Sequence, residues 1–292
     1  MIGVDWGTSS FRAFRLAADG RILGRRSTPR GILHVEGGRF ADALLAEIGP
    51  WLAEGERRVL LSGMIGSRQG WVEAPYLPCP AGAAELAAAL APVPFDAAQV
   101  LLVAGLSDAD DSGTPEVMRG EETQIVGAMQ ALDGDGLACL PGSHSKWARI
   151  AAGRIAAFRT YLSGEAFAAL RSGTILGRMM QDGPTDPAAF DRGVARSGDY
   201  GHLLHHLFGV RTLGLFGRLS EHESASYLSG LLIGHEVRAA RPQGLTVHLI
   251  GAAPLCALYA RAIAACGGEA VLQDEDAAAR GLSLIARSAQ WN

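Results

Sequence analysis

The chain has 292 residues, 48% of them hydrophobic, and a formal net charge of −4 from 26 Lys and Arg against 30 Asp and Glu. This length and apolar content predict two domains of ordinary size, because a single core seldom grows so large. The basic residues are scattered among acids, so the sequence excludes the positive field that attracts a nucleic-acid backbone. No nucleic-acid partner is expected.

The four cysteines indicate a reducing compartment. Each lies inside an apolar run, and no two have the C-x-x-C spacing of a zinc or redox motif. They are Cys79, Cys139, Cys256 and Cys266. Reduced, packed thiols favour a cytoplasmic protein, and the absence of a basic stretch before the first apolar residues predicts no signal peptide.

One segment, residues 249–267, is apolar over nearly the thickness of a bilayer. It contains Gly251, Pro254 and Arg261. These residues favour a strand that leads into a helix of a water-soluble fold, so no membrane partner is expected.

The first element in the chain is a short apolar strand that ends near Asp5. It runs into Gly7, Thr8 and Ser9, a glycine and hydroxyl residues that can turn backbone N–H groups toward an anion. A carboxylate at the end of such a strand suits hydrated Mg²⁺, which takes one or two protein oxygens. The sequence predicts a phosphate-binding turn with a metal-binding acid, against the alternative of an ordinary turn that Asp5 caps.

The same arrangement occurs twice in the chain. A second apolar stretch, residues 11–18, follows the first turn and is closed by Asp19-Gly20, which predicts an antiparallel meander. Residues 137–158 repeat the order of strand, glycine with hydroxyl residues, strand, and tight turn closed by Gly-Arg-Ile. We interpret the two segments as an internal duplication.

The remaining elements alternate between buried strands and helices, which predicts parallel strands added to the meanders. The expected strands are 59–62, 100–105 and 246–250. The expected helices are 40–53, 83–90, one that begins at Glu121, 165–170, 221–239, 254–265 and 274–287. Residues 107–115, rich in Asp, Ser, Gly and Pro, are the predicted linker, so we expect domains 1–114 and 115–292.

Four longer strings carry a resemblance to a known family. They are residues 63–71, 73–82, 117–124 and 140–147. They resemble the 2-dehydro-3-deoxygalactonokinase family, and the likeness runs from Asp5 to the last helix. More broadly, the duplicated phosphate motifs resemble the sugar kinase, Hsp70 and actin superfamily, and residues 119–127 are similar to the Gly-Asp-Gln-Gln stretch of carbohydrate kinases.

The resemblance implies an α/β fold, a two-domain actin-like (ribonuclease H-like) sugar kinase with duplicated mixed sheets, a cleft between the domains and the last helix at the hinge. It implies phosphorylation of 2-dehydro-3-deoxy-D-galactonate to its 6-phosphate, with ATP and Mg²⁺ as cofactors and the sugar acid and ATP as small-molecule partners. A kinase for another sugar acid or ketose, and a nucleotide-switched regulator of the actin or Hsp70 type, stay open as alternatives. The oligomeric state also stays open, and a homodimer is compatible with the sequence.

Glu121 is the predicted catalytic base, with Asp5 as its competitor. By its match to the acid of the carbohydrate-kinase stretch, Glu121 begins a helix and takes the proton of the attacking hydroxyl. That stretch uses Asp where this chain has Glu. The alternative is that Glu121 and Glu122 are helix-start acids that interact with the helix dipole.

Two further sets of residues are predicted to bind the nucleotide and the sugar acid. The predicted phosphate and adenosine residues are Gly7, Thr8, Ser9, Gly142, Ser143, His144, Lys146, Gly251 and Ala252, with the helix surface 230–234 beside the last two. Lys146, or as the weaker candidate His144, is predicted to add positive charge near the leaving phosphate, and the alternative for His144 is that it hydrogen-bonds its own loop. Arg68 is predicted to bind the substrate carboxylate, because a guanidinium can donate two parallel hydrogen bonds, and the alternative is that it holds its own loop. Gln69, Glu73 and Tyr76 are predicted to bind substrate hydroxyls.

Overall fold

The computed structural model describes residues 1–132 and 134–291. Its strands are β1 (Ile2–Trp6), β2 (Phe11–Leu16), β3 (Ile22–Thr28), β4 (Arg58–Ser62), β5 (Tyr76–Pro78), β6 (Ala91–Val93), β7 (Gln99–Leu102), β8 (Gly105–Ala109), β9 (Pro115–Met118), β10 (Gly136–Leu140), β11 (Ser145–Ala151), β12 (Arg154–Tyr161), β13 (Thr246–Leu249) and β14 (Glu269–Leu272). Its α-helices are α1 (Phe40–Ala53), α2 (Ala83–Ala88), α3 (Glu121–Ala128), α4 (Ser163–Gly173), α5 (Pro187–Arg196), α6 (Leu203–Leu215), α7 (Glu221–Ala240), α8 (Ala253–Ala265) and α9 (Ala277–Ser288). The helices and strands expected from the sequence are present, with ends that differ by a few residues.

Six strands form the first sheet, in the order β3-β2-β1-β4-β7-β6. β1 pairs antiparallel with β2 and parallel with β4. Every residue of β1 is buried, as expected for a central strand covered on both faces. Beside it the rings of Trp6, Phe11 and Phe40 meet edge to face, and Trp71 stacks on Phe40. This aromatic packing holds the end of β1 and the segment around Trp71 in the same core.

Five strands form the second sheet, in the order β12-β11-β10-β13-β14. β10 pairs parallel with β13, and β13 pairs parallel with β14. In the first sheet β1 lies between β2, the next strand in the chain, and the parallel strand β4. In the second sheet β10 lies in the same way between β11 and the parallel strand β13. This shared order confirms the internal duplication and the duplicated mixed sheets predicted from the sequence.

A third sheet, in the order β5-β8-β9, corrects one expectation. Residues 107–115 are not a linker, because they form the end of β8, a turn and the start of β9, and these strands pair antiparallel. The Asp110 carboxylate closes the turn by accepting hydrogen bonds from the N–H groups of Ser112 and Thr114. Asp, Ser, Gly and Pro, the residues that suggested a linker, are also those that a tight turn uses.

Contacts between Cα atoms divide the chain into two units. The first contains Met1–Asp135, Ala148–Arg159 and Asp274–Asn292, and the second contains Gly136–Trp147 and Thr160–Gln273. Helix α9 belongs to the first unit, where it packs on α3 and Arg280 donates a hydrogen bond to the Gly127 carbonyl. The first unit therefore extends past residue 114. This division by contacts differs from the domains 1–114 and 115–292, which stay a prediction.

Each unit has its own apolar core. In the first unit the core surrounds Val4 and Leu61 in the large sheet. The second unit has two clusters, one around Phe190 and Tyr259 and one around Leu228. Separate cores agree with the expectation from the length of the chain. Within residues 1–132 and 134–291, no helix has the length and apolar character needed to cross a membrane.

Candidate functional site

The predicted phosphate-binding turn of the first unit lies between β1 and β2. The Gly7 N–H closes it by donating to the Ser10 carbonyl at 2.9 Å. The N–H groups of residues 32 and 33 hold the turn from outside, because they donate to two of its carbonyl oxygens. Thr8 and Ser9 are exposed. The turn is thus fixed by its backbone and presents two hydroxyl side chains to solvent.

Asp5 lies in β1 beside this turn and is buried. Its carboxylate forms an ion pair with Arg12 of β2. Gly63 lies against it, since a Cβ at that position would come within 3.2 Å of Asp5 Oδ1 and 2.8 Å of the Trp6 carbonyl oxygen. The φ angle of Gly63 is +97°, so both the space and the backbone conformation require glycine. Asp5 therefore sits where the ends of β1 and β4 adjoin.

Helix α3 begins at the same place. Gly120, with a φ of +108°, precedes the helix, and a Cβ there would lie 3.1 Å from the Cα of Gly63. Glu121 is the first residue of α3 and is partly exposed. Its carboxylate accepts a hydrogen bond from the Arg119 N–H at 3.0 Å. The structure thus places the predicted base and the predicted metal-binding acid, Asp5, on adjoining elements of one unit.

Glu122, the next residue, has a different environment. It is fully buried and accepts hydrogen bonds from the Gly120 N–H at 2.7 Å and the Thr123 hydroxyl at 3.1 Å. Burial raises the pKa of Glu122 to about 7, and the neighbouring charge of Glu121 adds to the shift. An acid enclosed by structural hydrogen bonds is poorly placed to meet a substrate hydroxyl. The contrast favours Glu121 over Glu122 as the base.

The predicted sugar-acid residues lie on the loop between β4 and β5 and on β5 itself. Arg68 and Glu73 form an ion pair with 3.0 Å between Nε and Oε1, and their side chains are 87% and 57% exposed. Gln69 and Tyr76 are exposed too. An exposed ion pair contributes little to stability because water screens it, so the pair could open at small cost. Because all four side chains are exposed, they are accessible to a small ligand.

A second guanidinium, that of Arg119, is buried against the same loop. Its Nη2 donates to the Ala74 carbonyl at 2.8 Å, and its Cζ lies 4.3 Å from the centroid of the Tyr76 ring. Its Nε and Nη1 atoms have no hydrogen-bond partner among the residues that the structure describes. Arg119 was not among the site residues predicted from the sequence. The available signal was a cation two positions before the predicted base, Glu121.

The second predicted phosphate motif lies in the second unit, in the loop between β10 and β11. The Ser143 carbonyl accepts a hydrogen bond from the Glu165 N–H at 3.0 Å, and the ring of His144 pairs with the Glu165 carboxylate. Gly164 approaches so closely that a Cβ there would come within 2.3 Å of the Gly142 carbonyl oxygen. The start of α4 therefore holds this loop in place.

A buried hydrogen-bond network lies behind the loop. The Ser145 and Tyr259 hydroxyls are 2.7 Å apart, and the Tyr259 hydroxyl donates to Glu236 at 2.8 Å. Trp147 Nε1 donates to the other Glu236 oxygen at 2.7 Å. Burial raises the pKa of Glu236, and the hydrogen bonds act in the opposite direction. The network ties β11 to helices α7 and α8.

Lys146, also in β11, is more enclosed than the motif suggested. It is 5% exposed, and its Nζ donates to the Thr160 hydroxyl at 2.9 Å. His144 is half exposed. Of these two side chains His144 is therefore the more accessible, while the ammonium of Lys146 is held within the sheet by Thr160.

A cavity of about 310 Å³ lies beside Gly142, within the second unit. Its walls are formed by helices α4, α7 and α8 and by the segment before α5. Lining residues include Gly142, Gly164, Ser229, Leu232, Ile233 and Leu258. Apolar side chains with a few hydroxyl groups are typical of pockets for small organic ligands.

The predicted adenosine residues Gly251 and Ala252 are exposed and lie just before α8. A Cβ on Gly251 would be 3.6 Å from the carbonyl oxygen of Pro141. Since Pro141 precedes Gly142, the late glycine motif and the second phosphate motif adjoin in the structure.

The helix surface expected at residues 230–234 needs a correction. Its two glycines face α5, where a Cβ on Gly230 would come within 2.0 Å of the Phe190 carbonyl oxygen. Leu232 and Ile233 line the cavity instead. The reason is the helical period, because glycines four positions apart share one face while the intervening residues lie on others.

Comparisons with known proteins extend over nearly the whole chain. Residues 5–285 match the family described as 2-keto-3-deoxy-galactonokinase. A Rhizobium meliloti (strain 1021) protein assigned as a 2-dehydro-3-deoxygalactonokinase is 36% identical over 98% of this chain and 96% of its own. The 2-dehydro-3-deoxygalactonokinase of Escherichia coli (strain K12) is 33% identical over 91% of this chain and 90% of its own.

Solved structures agree with these sequence comparisons. The crystal structure of a Sinorhizobium meliloti protein assigned to the same kinase activity superposes with a TM-score of 0.87 and 35% identity, covering 98% of both chains. Component A of the (R)-2-hydroxyglutaryl-CoA dehydratase of Acidaminococcus fermentans superposes with a TM-score of 0.55 and 11% identity, covering 99% of both chains. The second likeness concerns the fold alone.

Proposed function

Because this chain belongs to the 2-keto-3-deoxy-galactonokinase family, we propose that it transfers the γ-phosphoryl group of ATP to the terminal hydroxyl of 2-dehydro-3-deoxy-D-galactonate and forms the 6-phosphate. The match of the family over residues 5–285 is the observation that carries the proposal. It favours this carbohydrate kinase over a kinase for another sugar acid or ketose and over a nucleotide-switched regulator. A cytoplasmic location and a homodimer stay predictions of the sequence.

Glu121 is the proposed general base. Phosphoryl transfer needs little covalent chemistry from the protein, which mainly positions the reactants and stabilises charge. Glu121 is partly exposed at the start of α3, and the hydrogen bond from the Arg119 N–H orients its carboxylate. A carboxylate held in this way can accept the proton of the attacking hydroxyl as its oxygen bonds to the γ-phosphorus and the bond from that phosphorus to the leaving ADP breaks.

The phosphate contacts are proposed for each unit separately. In the first unit Thr8 and Ser9 supply exposed hydroxyl and N–H donors. In the second unit Gly142, Ser143 and His144 supply donors from the loop that α4 holds. Hydrogen-bond donors that are fixed before the reaction need not reorganise as charge develops on the phosphate oxygens.

Mg²⁺ is part of the proposal, with Asp5 as its protein ligand. Among the residues that the structure describes, no cluster of three or more His, Cys, Asp or Glu side chains could hold a metal ion. Mg²⁺ in kinases binds one or two carboxylates together with the substrate phosphates, so a single acid beside a phosphate-binding turn fits the ion. Bound there, Mg²⁺ would neutralise charge on the phosphate oxygens. Arg12 would then have to share the Asp5 carboxylate.

The cavity of the second unit is the proposed adenosine pocket, next to Gly251 and Ala252. Replacement of Ser229 by Trp should fill part of its volume of about 310 Å³ and raise the KM for ATP at least about ten-fold, with little change in the KM for the sugar acid. Ala239→Trp is the matched control, because it places the same ring on an exposed position of α7. Equal KM values for ATP in the two variants would place the adenosine elsewhere.

The proposed activity is tested by incubating the purified protein with ATP, Mg²⁺ and a panel of sugar acids and ketoses. We expect ADP formation with 2-dehydro-3-deoxy-D-galactonate, at a kcat/KM at least about ten-fold above that of its epimers. Phosphorus NMR of the product should show the phosphate on the terminal carbon. ADP formation at the same rate with and without the sugar acid, or a higher kcat/KM for a neutral ketose, would contradict the proposal.

A further inference from the structure

We propose that Arg119 recognises the carboxylate of the substrate, an inference that rests on the sugar-acid kinase activity proposed above. Arg119 is only 7% exposed. Its Nη2 donates to a neutral acceptor, the Ala74 carbonyl, at 2.8 Å. A buried cation without an anionic partner is costly, because protein replaces the water that solvated its charge. A bound anion would remove this cost.

The buried polar atoms without a partner in this region lie on Arg119 and on the loop between β4 and β5, against which Arg119 packs. Nε and Nη1 of Arg119 are buried without a hydrogen-bond partner among the described residues, and so is the hydroxyl of Ser67. Gly66, which precedes Ser67, approaches Arg119 so closely that a Cβ there would lie 3.0 Å from Nη1. A guanidinium packed against a loop that also carries a buried hydroxyl suits a ligand with both a carboxylate and hydroxyl groups.

The surroundings of Arg119 fix its orientation and its position relative to the base. The Cζ atom of Arg119 lies over the ring of Tyr76, 4.3 Å from its centroid, and this cation–π contact holds the guanidinium against the ring. The Arg119 N–H donates to the Glu121 carboxylate at 3.0 Å, so the cation and the proposed base are held together by the backbone. Because Nε and Nη1 are covered, a carboxylate reaches them only if the loop between β4 and β5 shifts as the substrate binds.

Arg119 has an electrostatic advantage over Arg68, the residue that the sequence predicts for this role. Arg68 is 87% exposed and already paired with Glu73, so water screens its charge. An interaction between charges is stronger where water is excluded. The buried guanidinium should therefore discriminate more sharply between a carboxylate and a neutral group.

The test compares the sugar acid with its neutral carboxamide analogue, using ATP and Mg²⁺ throughout. The wild type must first phosphorylate the sugar acid, and its failure to do so would reject the proposed activity rather than the role of Arg119. In Arg119→Met the KM for the sugar acid should rise about ten- to a hundred-fold, while the KM for the carboxamide and for ATP should change little. Arg119→Lys keeps the charge without the planar fork, so its KM for the sugar acid should lie between those of the wild type and Arg119→Met.

The preference for the acid over the carboxamide separates recognition from a structural role. Arg57→Met is the control, since Arg57 donates to the carbonyl groups of Leu52 and Glu56, and it should keep the wild-type preference. A lower Tm in the Arg119 variants together with an unchanged preference would assign Arg119 to structure and overturn the inference. So would loss of the preference in Arg68→Met alone. If Arg119→Met does not fold, the preference of Arg119→Lys for the sugar acid over the carboxamide provides the test.

Discussion

Replacement of Glu121 by Gln is expected to lower kcat by on the order of 10² to 10⁴, the usual effect of losing a general base. The amide keeps the shape of the side chain and can still accept the hydrogen bond that the Arg119 N–H donates at 3.0 Å. It cannot take a proton from the attacking hydroxyl. The KM for ATP should change little, because the lost interaction belongs to the transition state. Steady-state kinetics with both substrates, on protein of measured Tm, provide the test.

Glu122→Gln makes the same chemical change one residue further along α3 and is the matched control. Glu122 is fully buried among hydrogen bonds from the Gly120 N–H and the Thr123 hydroxyl. We expect its replacement to affect mainly the free energy of unfolding, with kcat within about ten-fold of wild type. A Glu122 variant that folds normally yet loses turnover, beside an active Glu121 variant, would move the base by one residue.

Local sequence signals were sufficient for much of the fold. The turn after β1, the meander that follows it and their second copy depend on residues close together in the chain, so strand alternation and turn residues reveal them. Helix α7 begins where Ser220 and Glu223 form a capping box, another local signal. Residues 107–115 were misjudged because a tight turn and a linker share the same composition.

The burial of single polar side chains could not be predicted in this way. Arg68 and Arg119 are both arginines near glycines, yet one is exposed and the other is enclosed by Ala74 and Tyr76. The burial of Lys146 and the hydrogen bond from its ammonium to Thr160 of the next strand were not visible in the sequence either. Such differences depend on contacts between segments far apart in sequence. The cavity could not be predicted for the same reason, because its walls come from helices separated along the chain.

Replacement of Asp5 by Asn is expected to lower kcat at least about a hundred-fold, because neutralisation of phosphate charge by a metal ion is worth several kcal/mol. A neutral amide is a weaker ligand for Mg²⁺ than a carboxylate, so the variant should also need a higher Mg²⁺ concentration for half-maximal activity. The fold should persist, since Asn fits the same space beside Gly63. The measurement is kcat across a titration of MgCl₂, with thermal unfolding in parallel.

The ion pair with Arg12 offers a second explanation for such a loss, because Asn also removes the charged partner of that guanidinium. Arg12→Gln breaks the pair but leaves the Asp5 carboxylate in place. The Arg12 side chain is 38% exposed, so its partial solvation should make the pair a minor contributor to stability. We expect this variant to keep kcat within about ten-fold and to need no more Mg²⁺ than wild type.

If both variants lose turnover equally and neither alters the Mg²⁺ requirement, Asp5 acts through Arg12 and is not the metal ligand. If the kcat of Asp5→Asn is within a few-fold of wild type, Asp5 neither binds the metal nor acts through Arg12.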